Sequence, residues 1–299
     1  MKILITGASG LVGTRLCERL VAEGHAIHTL VRREPRTGTE SRWDPATGSI
    51  DAAALEGLDG VVHLAGESIA EGRWNAAKKQ RIRTSRVQGT QLLAGTLAGL
   101  AQKPTVLVSA SAIGFYGDRG EELLTESAPA GGGFLAGVCA EWEAATEAAV
   151  QAGIRTVTLR IGVVLDRQGG ALAKMLTPFK FGAGGVLGSG RQYMSWIALD
   201  DLVAVLQFAL LDAPLQGPVN AVAPEPVTNR EFTKTLGGVL SRPTILPVPA
   251  FAARLAFGEM AQELLLASMR VQPDKLLAAG FAFAHPQLDG ALRAILGKA

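Results

Sequence analysis

Short apolar runs alternate with stretches of helical period through the first half of the chain. KILIT, residues 2–6, predicts a first strand. LVGTRLCERLVAEG follows with apolar positions three and four apart, and predicts a helix that Gly24 stops. AIHTLVRR predicts a second strand, and a loop rich in Thr, Arg and Pro runs on to about Asp51. DGVVHLAG is a further strand ending at Gly66, and RWNAAKKQRIRTSRVQGTQLLAGTLAGL reads as one long helix. TVLVSAS is a strand with polar residues at its end. CAEWEAATEAAVQAG is helical, and TVTLRIGVVL is one more strand. Strands without internal alternation, separated by helices, predict a parallel sheet covered on both faces. The expected fold is α/β, a Rossmann-type doubly wound sheet with a smaller C-terminal α/β lobe.

The texture changes near residue 166. RQGGALAKMLTPFKFGAGGVLGSGRQ is Gly-rich and irregular. A helix near 200–212, a strand GPVNAVA and a helix opened by Thr228 follow. Thr228 and Glu231 have the spacing of a capping box. Pro-punctuated segments and amphipathic helices end the chain. Residues 1–165 are therefore expected to form a dinucleotide-binding domain. Residues 166–299 are expected to form an interleaved substrate lobe with a helical tail.

Composition narrows the classes. The chain has 299 residues, 48% of them hydrophobic, enough for a large core. The 29 basic and 27 acidic residues leave a net charge of +2, which demands neither nucleic acid nor a membrane surface. The densest basic cluster, KKQRIRTSR (78–86), reads as a solvated helix face. Cys17 and Cys139 lie in apolar segments and make no disulfide framework or metal spacing. The four His are scattered, and no metal is expected. No charged segment with an apolar core precedes the first strand, and no apolar run is long enough to cross a membrane. A cytoplasmic protein with a small-molecule substrate, monomeric or homodimeric, is expected.

Ligands of such sheets bind beyond the carboxyl ends of the strands. TGASGLVG (6–13) stands at the first of these ends. Gly7 permits a tight turn, Gly10 lets the backbone approach a pyrophosphate, and Gly13 lets the helix pack closely. The helix N-terminus offers unpaired N–H groups and partial positive charge. The second strand ends Leu30-Val31-Arg32-Arg33 where a carboxylate would select NAD(H). A guanidinium there can hold a 2′-phosphate, so NADP(H) is expected in preference to NAD(H).

TGASGLVG, the HLAG strand end and the run of Ser109, Ser111, Tyr116 and Gly117 resemble the extended short-chain dehydrogenase/reductase superfamily. HLAGESIAEGRWNAAKKQRIRTSR, SASAIGFYGDRGE, CAEWE and the long run from Arg160 to Asp201 are similar to its atypical YfcH-like epimerase branch. Members of that branch are described as NAD(P)-dependent epimerases or oxidoreductases. The resemblance implies that Gly7, Ser9, Gly10, Leu11 and Val12 line the pyrophosphate and that Arg32 meets the 2′-phosphate. It also implies that Leu64, Ala65, Gly66, Arg86, Ser109, Gly162 and Val163 meet the rest of the cofactor.

In that superfamily a Tyr handles the proton and a Lys four residues later lowers its pKa. Here the corresponding helix reads Phe134-Leu135-Ala136-Gly137-Val138, and four residues after Tyr116 and Tyr193 stand Gly120 and Ile197. The usual pair is absent. Ser111, Tyr116 and Glu67 are the candidate catalytic residues, and Arg191 in GSGRQ is the candidate anion clamp on the substrate. Asp200 and Asp201 read as helix-dipole partners, Trp196 as packing between the lobes, and Glu141 and Trp142 as structural. The leading expectation is an NADP(H)-dependent oxidoreductase or epimerase-like enzyme. The alternatives are a catalytically silent NADP(H)-binding regulator and, on the basic helix alone, an RNA-binding protein.

Overall fold

The computed structural model describes residues 1–212 and 214–298. The strands in chain order are β1 (Lys2–Thr6), β2 (Ala26–Val31), β3 (Glu40–Asp44), β4 (Ser49–Ile50), β5 (Gly60–His63), β6 (Val106–Ala112), β7 (Leu123–Leu124) and β8 (Arg155–Ile161). They continue with β9 (Val163–Leu165), β10 (Tyr193–Met194), β11 (Trp196–Ala198), β12 (Gly217–Ala221), β13 (Val227–Thr228) and β14 (Arg270–Val271). An eight-stranded sheet has the order β12-β8-β6-β5-β1-β2-β3-β4 and is parallel except where β4 turns back on β3. The helices are α1 (Leu11–Ala22), α2 (Ala76–Gly99), α3 (Phe134–Ala144), α4 (Glu147–Gln151), α5 (Gly170–Lys180), α6 (Leu199–Leu211), α7 (Asn229–Leu240), α8 (Ala250–Phe257), α9 (Asp274–Ala278) and α10 (Leu288–Leu296).

Alternation inside each strand divides the core in two. Ile3, Ile5, Val62, Val106, Val108, Val157 and Leu159 pack with α1 and α6 on one face. Leu4, Val61 and Leu107 pack with α2 and α4 on the other. Each such fully buried side chain stabilises the fold by roughly 1.5–3 kcal/mol. On the α2 face the apolar residues give way to polar ones toward the carboxyl ends. Thr6, His63, Ser109 and Thr158 stand in register across four strands. Ser111, Arg160 and Asn220 stand in register across three.

The structure departs from the sequence expectations in a few places. The loop before Asp51 contains β3 and β4, because Trp43 is buried against α2 while its neighbours stay polar. The expected helix of residues 139–153 breaks after α3. There the Thr146 hydroxyl donates to the Glu143 carbonyl at 2.7 Å, a local bond that competes with the helix ladder. TVTLRIGVVL breaks at Gly162, where a Cβ would lie 2.8 Å from the Ser195 carbonyl oxygen. The capping box at Thr228 and Glu231 forms. β12 and α6 return to the large sheet, so the second half of the chain completes the first layer. Among the described residues no helix is long and apolar enough to cross a membrane.

His63 is wholly buried. Its Nδ1 lies 2.7 Å from Thr6 Oγ1 and its Nε2 2.9 Å from Thr90 Oγ1. Trp142 Nε1 donates to the same Thr90 hydroxyl at 3.0 Å. Burial pushes the imidazole down to about 4. The unfolded chain takes up this proton below about pH 6.5 while the folded chain resists it to about 4. Stability is therefore lost as pH falls through that window, by about 3 kcal/mol from this group. Urea unfolding at pH 7 and pH 4.5 should show the loss, and His63→Gln should flatten it; an unchanged slope in the variant would refute the assignment.

Candidate active site

The cradle at the β1–α1 turn is built by close backbone approach. Gly7 has φ +69, and a Cβ on it would lie 2.8 Å from the Leu64 carbonyl carbon and oxygen. A Cβ on Gly13 would lie 2.3 Å from the Gly7 oxygen, so α1 packs as closely as it does only with glycine there. Gly10 N donates to Gly7 O at 3.0 Å, and Thr14 N closes the first helical turn on Gly10 O at 2.9 Å. Gly10 provides no side-chain cap, and α1 has no acid in its first turn. Among the described residues the N–H groups of Leu11, Val12 and Gly13 thus have no acceptor, and Ser9 and Gly10 beside them are exposed. This is the arrangement a pyrophosphate fills.

The two arginines after β2 divide. Arg33 is held on both nitrogens by Glu40, at 2.8 and 2.5 Å. Arg32 is exposed and, among the described residues, has no hydrogen-bond or ion-pair partner. Glu40 is committed to Arg33 and to Arg36 N, and Arg33 holds its carboxyl down at about 2.

Leu64 N and Ala65 N both donate to Thr6 Oγ1 at 3.2 Å, which fixes the backbone past β5. A Cβ on exposed Gly66 would lie 3.4 Å from the Arg86 guanidinium carbon. Arg86 donates to the carbonyls of Glu67 and Ile82 at 3.0 and 3.1 Å and lies 5.0 Å from the Trp142 ring centre. Among the described residues no carboxylate pairs with it, and burial lowers its pKa. A half-buried cation with only carbonyl and aromatic partners is a favourable neighbour for an anion or a polar ring substituent. Gly162 and Val163 are half-buried at the β8–β9 break.

Of the three candidate catalytic side chains, Ser111 and Tyr116 enter one buried network and Glu67 is tied elsewhere, to α2. Ser111 is buried, and its hydroxyl donates to Glu143 Oε1 at 2.7 Å. Tyr116 is fully buried, with its hydroxyl 2.7 Å from Asn220 Oδ1 and accepting from Arg160 at 2.9 Å. Burial pushes the Tyr116 phenol up from its ordinary value. Glu67 accepts from Lys78 at 2.8 Å and from Arg81 at 3.4 Å, and Lys78 holds its carboxyl below the usual range. Ser109 is wholly buried below the strand ends. Arg191 is exposed, 3.7 Å from Glu121.

Sequence reasoning missed what joins Ser111 to Tyr116. Arg160 binds Glu143 twice at 2.8 Å, and its guanidinium lies 3.5 Å from the Phe115 ring centre. Glu126, also buried, accepts from Asn220 N at 3.0 Å. An Arg inside the apolar run TVTLRIGVVL was the available signal, because a buried charge requires a partner. The basic cluster on α2 is corrected too: Lys78 is buried in its pair with Glu67 and is no part of a solvated face. Asp201 is likewise more than a dipole partner, since its carboxylate accepts from Ala284 N and His285 N at 2.8 and 2.9 Å. Trp196 is fully buried in the core around α5 and α7, and its Nε1 donates to Glu225 O. Cys139 is buried, and burial pushes its thiol up to about 12.

A glycine cradle at the first strand end, inside a doubly wound sheet, defines a nucleotide-binding α/β protein. Comparison with known proteins makes the class specific: residues 3–221 match the NAD dependent epimerase/dehydratase family, and the chain belongs to it. Residues 248–295 match a domain of unknown function, DUF1731. An epimerase family protein of Mycobacterium bovis, Mb2239, is 46% identical over 292 residues, covering 97% of this chain and 96% of its own. The crystal structure of human epimerase family protein SDR39U1 (isoform 2) with NADPH is 33% identical, with a TM-score of 0.89 over the whole of both chains. A nucleoside-diphosphate sugar epimerase structure from Corynebacterium glutamicum is 40% identical, with a TM-score of 0.83 over 99% of this chain and 58% of that one.

The network makes its own prediction. Glu143→Ala leaves the Arg160 charge buried and should cost about 3–5 kcal/mol. The double change Glu143→Leu with Arg160→Met removes both charges and should cost much less. Denaturant unfolding of the single and double variants measures the difference, and equal losses would refute the pairing energy.

Proposed function

We propose that this protein is an NADP(H)-dependent oxidoreductase or epimerase-like enzyme acting on a small carbonyl or alcohol. The observation that carries the reading is the open amide cradle at α1 with unpartnered Arg32 beyond β2. Gly7, Ser9, Gly10, Leu11 and Val12 would hold the pyrophosphate, and Arg32 the 2′-phosphate. Leu64, Ala65, Gly66 and Arg86 would border the ribose and nicotinamide side, with Gly162 and Val163 opposite. The human relative's NADPH supports the choice of nucleotide. When bound, the cofactor supplies or accepts hydride at its nicotinamide.

The chain's own part is binding, orientation and proton handling. Arg86 would supply positive charge beside Gly66 on the cofactor side. Ser111 is assigned to orient a substrate oxygen only if its bond to Glu143 opens. Tyr116 and Glu67 are poor proton donors here, the first sealed in the core and the second held as a carboxylate by Lys78. Arg191 is exposed on the Gly-rich loop and suits an anionic group on the substrate. That Ser111 and Tyr116 are both committed inward also favours a second reading, a protein that binds NADP(H) without turnover.

Titration of the purified protein with NADPH and NADH tests the cofactor reading. NADPH should bind at least about tenfold tighter, and Arg32→Ala should remove that preference while leaving NADH affinity unchanged. Failure to bind either nucleotide would sink the assignment. NADPH consumption against a panel of small aldehydes, ketones and 2-oxo acids separates the enzyme from the silent binder.

A further inference from the structure

Two segments of the chain start against the glycine cradle, on opposite flanks, and meet each other away from it. One follows β5. A Cβ on Gly7 would lie 2.8 Å from the Leu64 carbonyl and 3.0 Å from Ala65 N, so this segment leaves the cradle at Gly66. The other is α5. A Cβ on its N-cap, Gly169, would lie 3.1 Å from the Leu11 side chain, and one on Gly170 would lie 3.8 Å from it. Leu11 opens α1 and carries one of the cradle's free amides. One turn into α5, Lys174 Nζ donates to Ala70 O at 3.0 Å, across 104 residues. That bond closes a ring of chain that starts and ends at the cradle.

The segment of residues 66–74 is held at both ends. At its start Glu67 N donates to Ser85 Oγ at 3.0 Å, Glu67 O accepts from Arg86 at 3.0 Å, and the Glu67 carboxylate accepts from Lys78 at 2.8 Å. At its far end the Trp74 ring meets the Phe134 ring edge-on, 5.5 Å between centres, and Arg73 donates to Leu255 O at 2.9 Å. The segment therefore runs from the cradle to the N-terminus of α3. By resemblance that is the course of the nicotinamide half of the cofactor. Its middle is held by little. Ser68, Ala70, Glu71 and Gly72 are exposed. Among the described residues, the backbone of 68–72 makes one hydrogen bond to another segment, that of Ala70 O to Lys174. A segment with so few bonds opens locally at small cost, and a single latch then weighs heavily in its equilibrium.

We propose that residues 67–74 form a gate over the nicotinamide half of the cofactor site, latched shut by Lys174. The proposal rests on the reading of the protein as a binder of NADP(H). A dinucleotide with its pyrophosphate on the α1 amides and its other end toward α3 lies inside the ring that Lys174 closes. It enters and leaves when the bond to Ala70 opens. The latch uses only atoms of the chain, so it resists entry as well as exit. Closed, the gate keeps water from the nicotinamide. Leu172 and Leu176 anchor α5 in the core that it shares with α7 and α10. Exchange of the nucleotide on one half of the chain is thereby tied to the packing of the other half.

Lys174→Met removes the donor and keeps most of the stem, at an exposed position that the core does not use. Lys174→Arg keeps a donor. The full-length proteins are mixed rapidly with NADPH, and the nucleotide's fluorescence gives association and dissociation rates. Lys174→Met should raise both rates about fivefold, the effect of losing one hydrogen bond from a charged donor, and leave the Kd within about twofold. Trypsin reports the gate without any nucleotide, because Arg73 lies within it and is exposed. Cleavage after Arg73, identified by fragment mass, should quicken about fivefold in Lys174→Met, since it follows the open population. Lys174→Arg should restore the wild-type rates in both measurements. Unchanged rates in Lys174→Met would overturn the gate. So would a faster dissociation with unchanged association, which makes Lys174 a ligand of the nucleotide instead. Wild-type protein that binds neither NADPH nor NADH overturns the functional reading and the gate with it, an outcome seen before any variant is compared.

Discussion

A guanidinium inside a protein core must be compensated in place, and at the carboxyl end of this sheet that requirement falls on Arg160. Only 4% of its side chain is exposed. Glu143 answers the charge with two bonds, Phe115 offers its ring face, and the Tyr116 hydroxyl accepts from the remaining nitrogen. These partners come from α3 and from the turn after β6. Asn220 on β12 extends the chain of bonds from Tyr116. The consequence is geometric: α3 cannot slide along the sheet without breaking the pair. The position of its N-terminus, and of whatever is held there, is thereby set from the opposite end of the helix.

The glycine turn of the candidate site was legible because its information is local. Three glycines within seven residues, a strand before them and a helix after them specify a turn whose backbone approaches leave no room for Cβ atoms. The capping box at Thr228 was legible for the same reason, both partners lying within one helical turn. The buried polar network at the strand ends and the cap of α3 were not legible. Ser111 meets Glu143, Tyr116 meets Asn220 and Phe134 meets Glu263 across separations of 32, 104 and 129 residues. Nothing in the residues between specifies those meetings. A Ser or Tyr near a strand end reads as active-site chemistry whether it faces outward or into the core, and here the facing decided the matter. Lys78 shows the converse: inside a basic run it reads as solvated, yet one turn of α2 carries it under Glu67.

The N-terminus of α3 is capped from far along the chain. Glu263 meets the two leading amides of α3, and that bond gives the C-terminal segment a place to dock. The epimerase-family match ends at residue 221, and Glu263 lies beyond it, in the part that matches DUF1731. Within the matched part, Glu67, Glu141 and Glu143 are held by cations and Tyr116 is sealed in the core. Glu263 caps the helix with both of its carboxylate oxygens. The C-terminal segment is thereby tied to the same helix that Arg160 fixes near its other end.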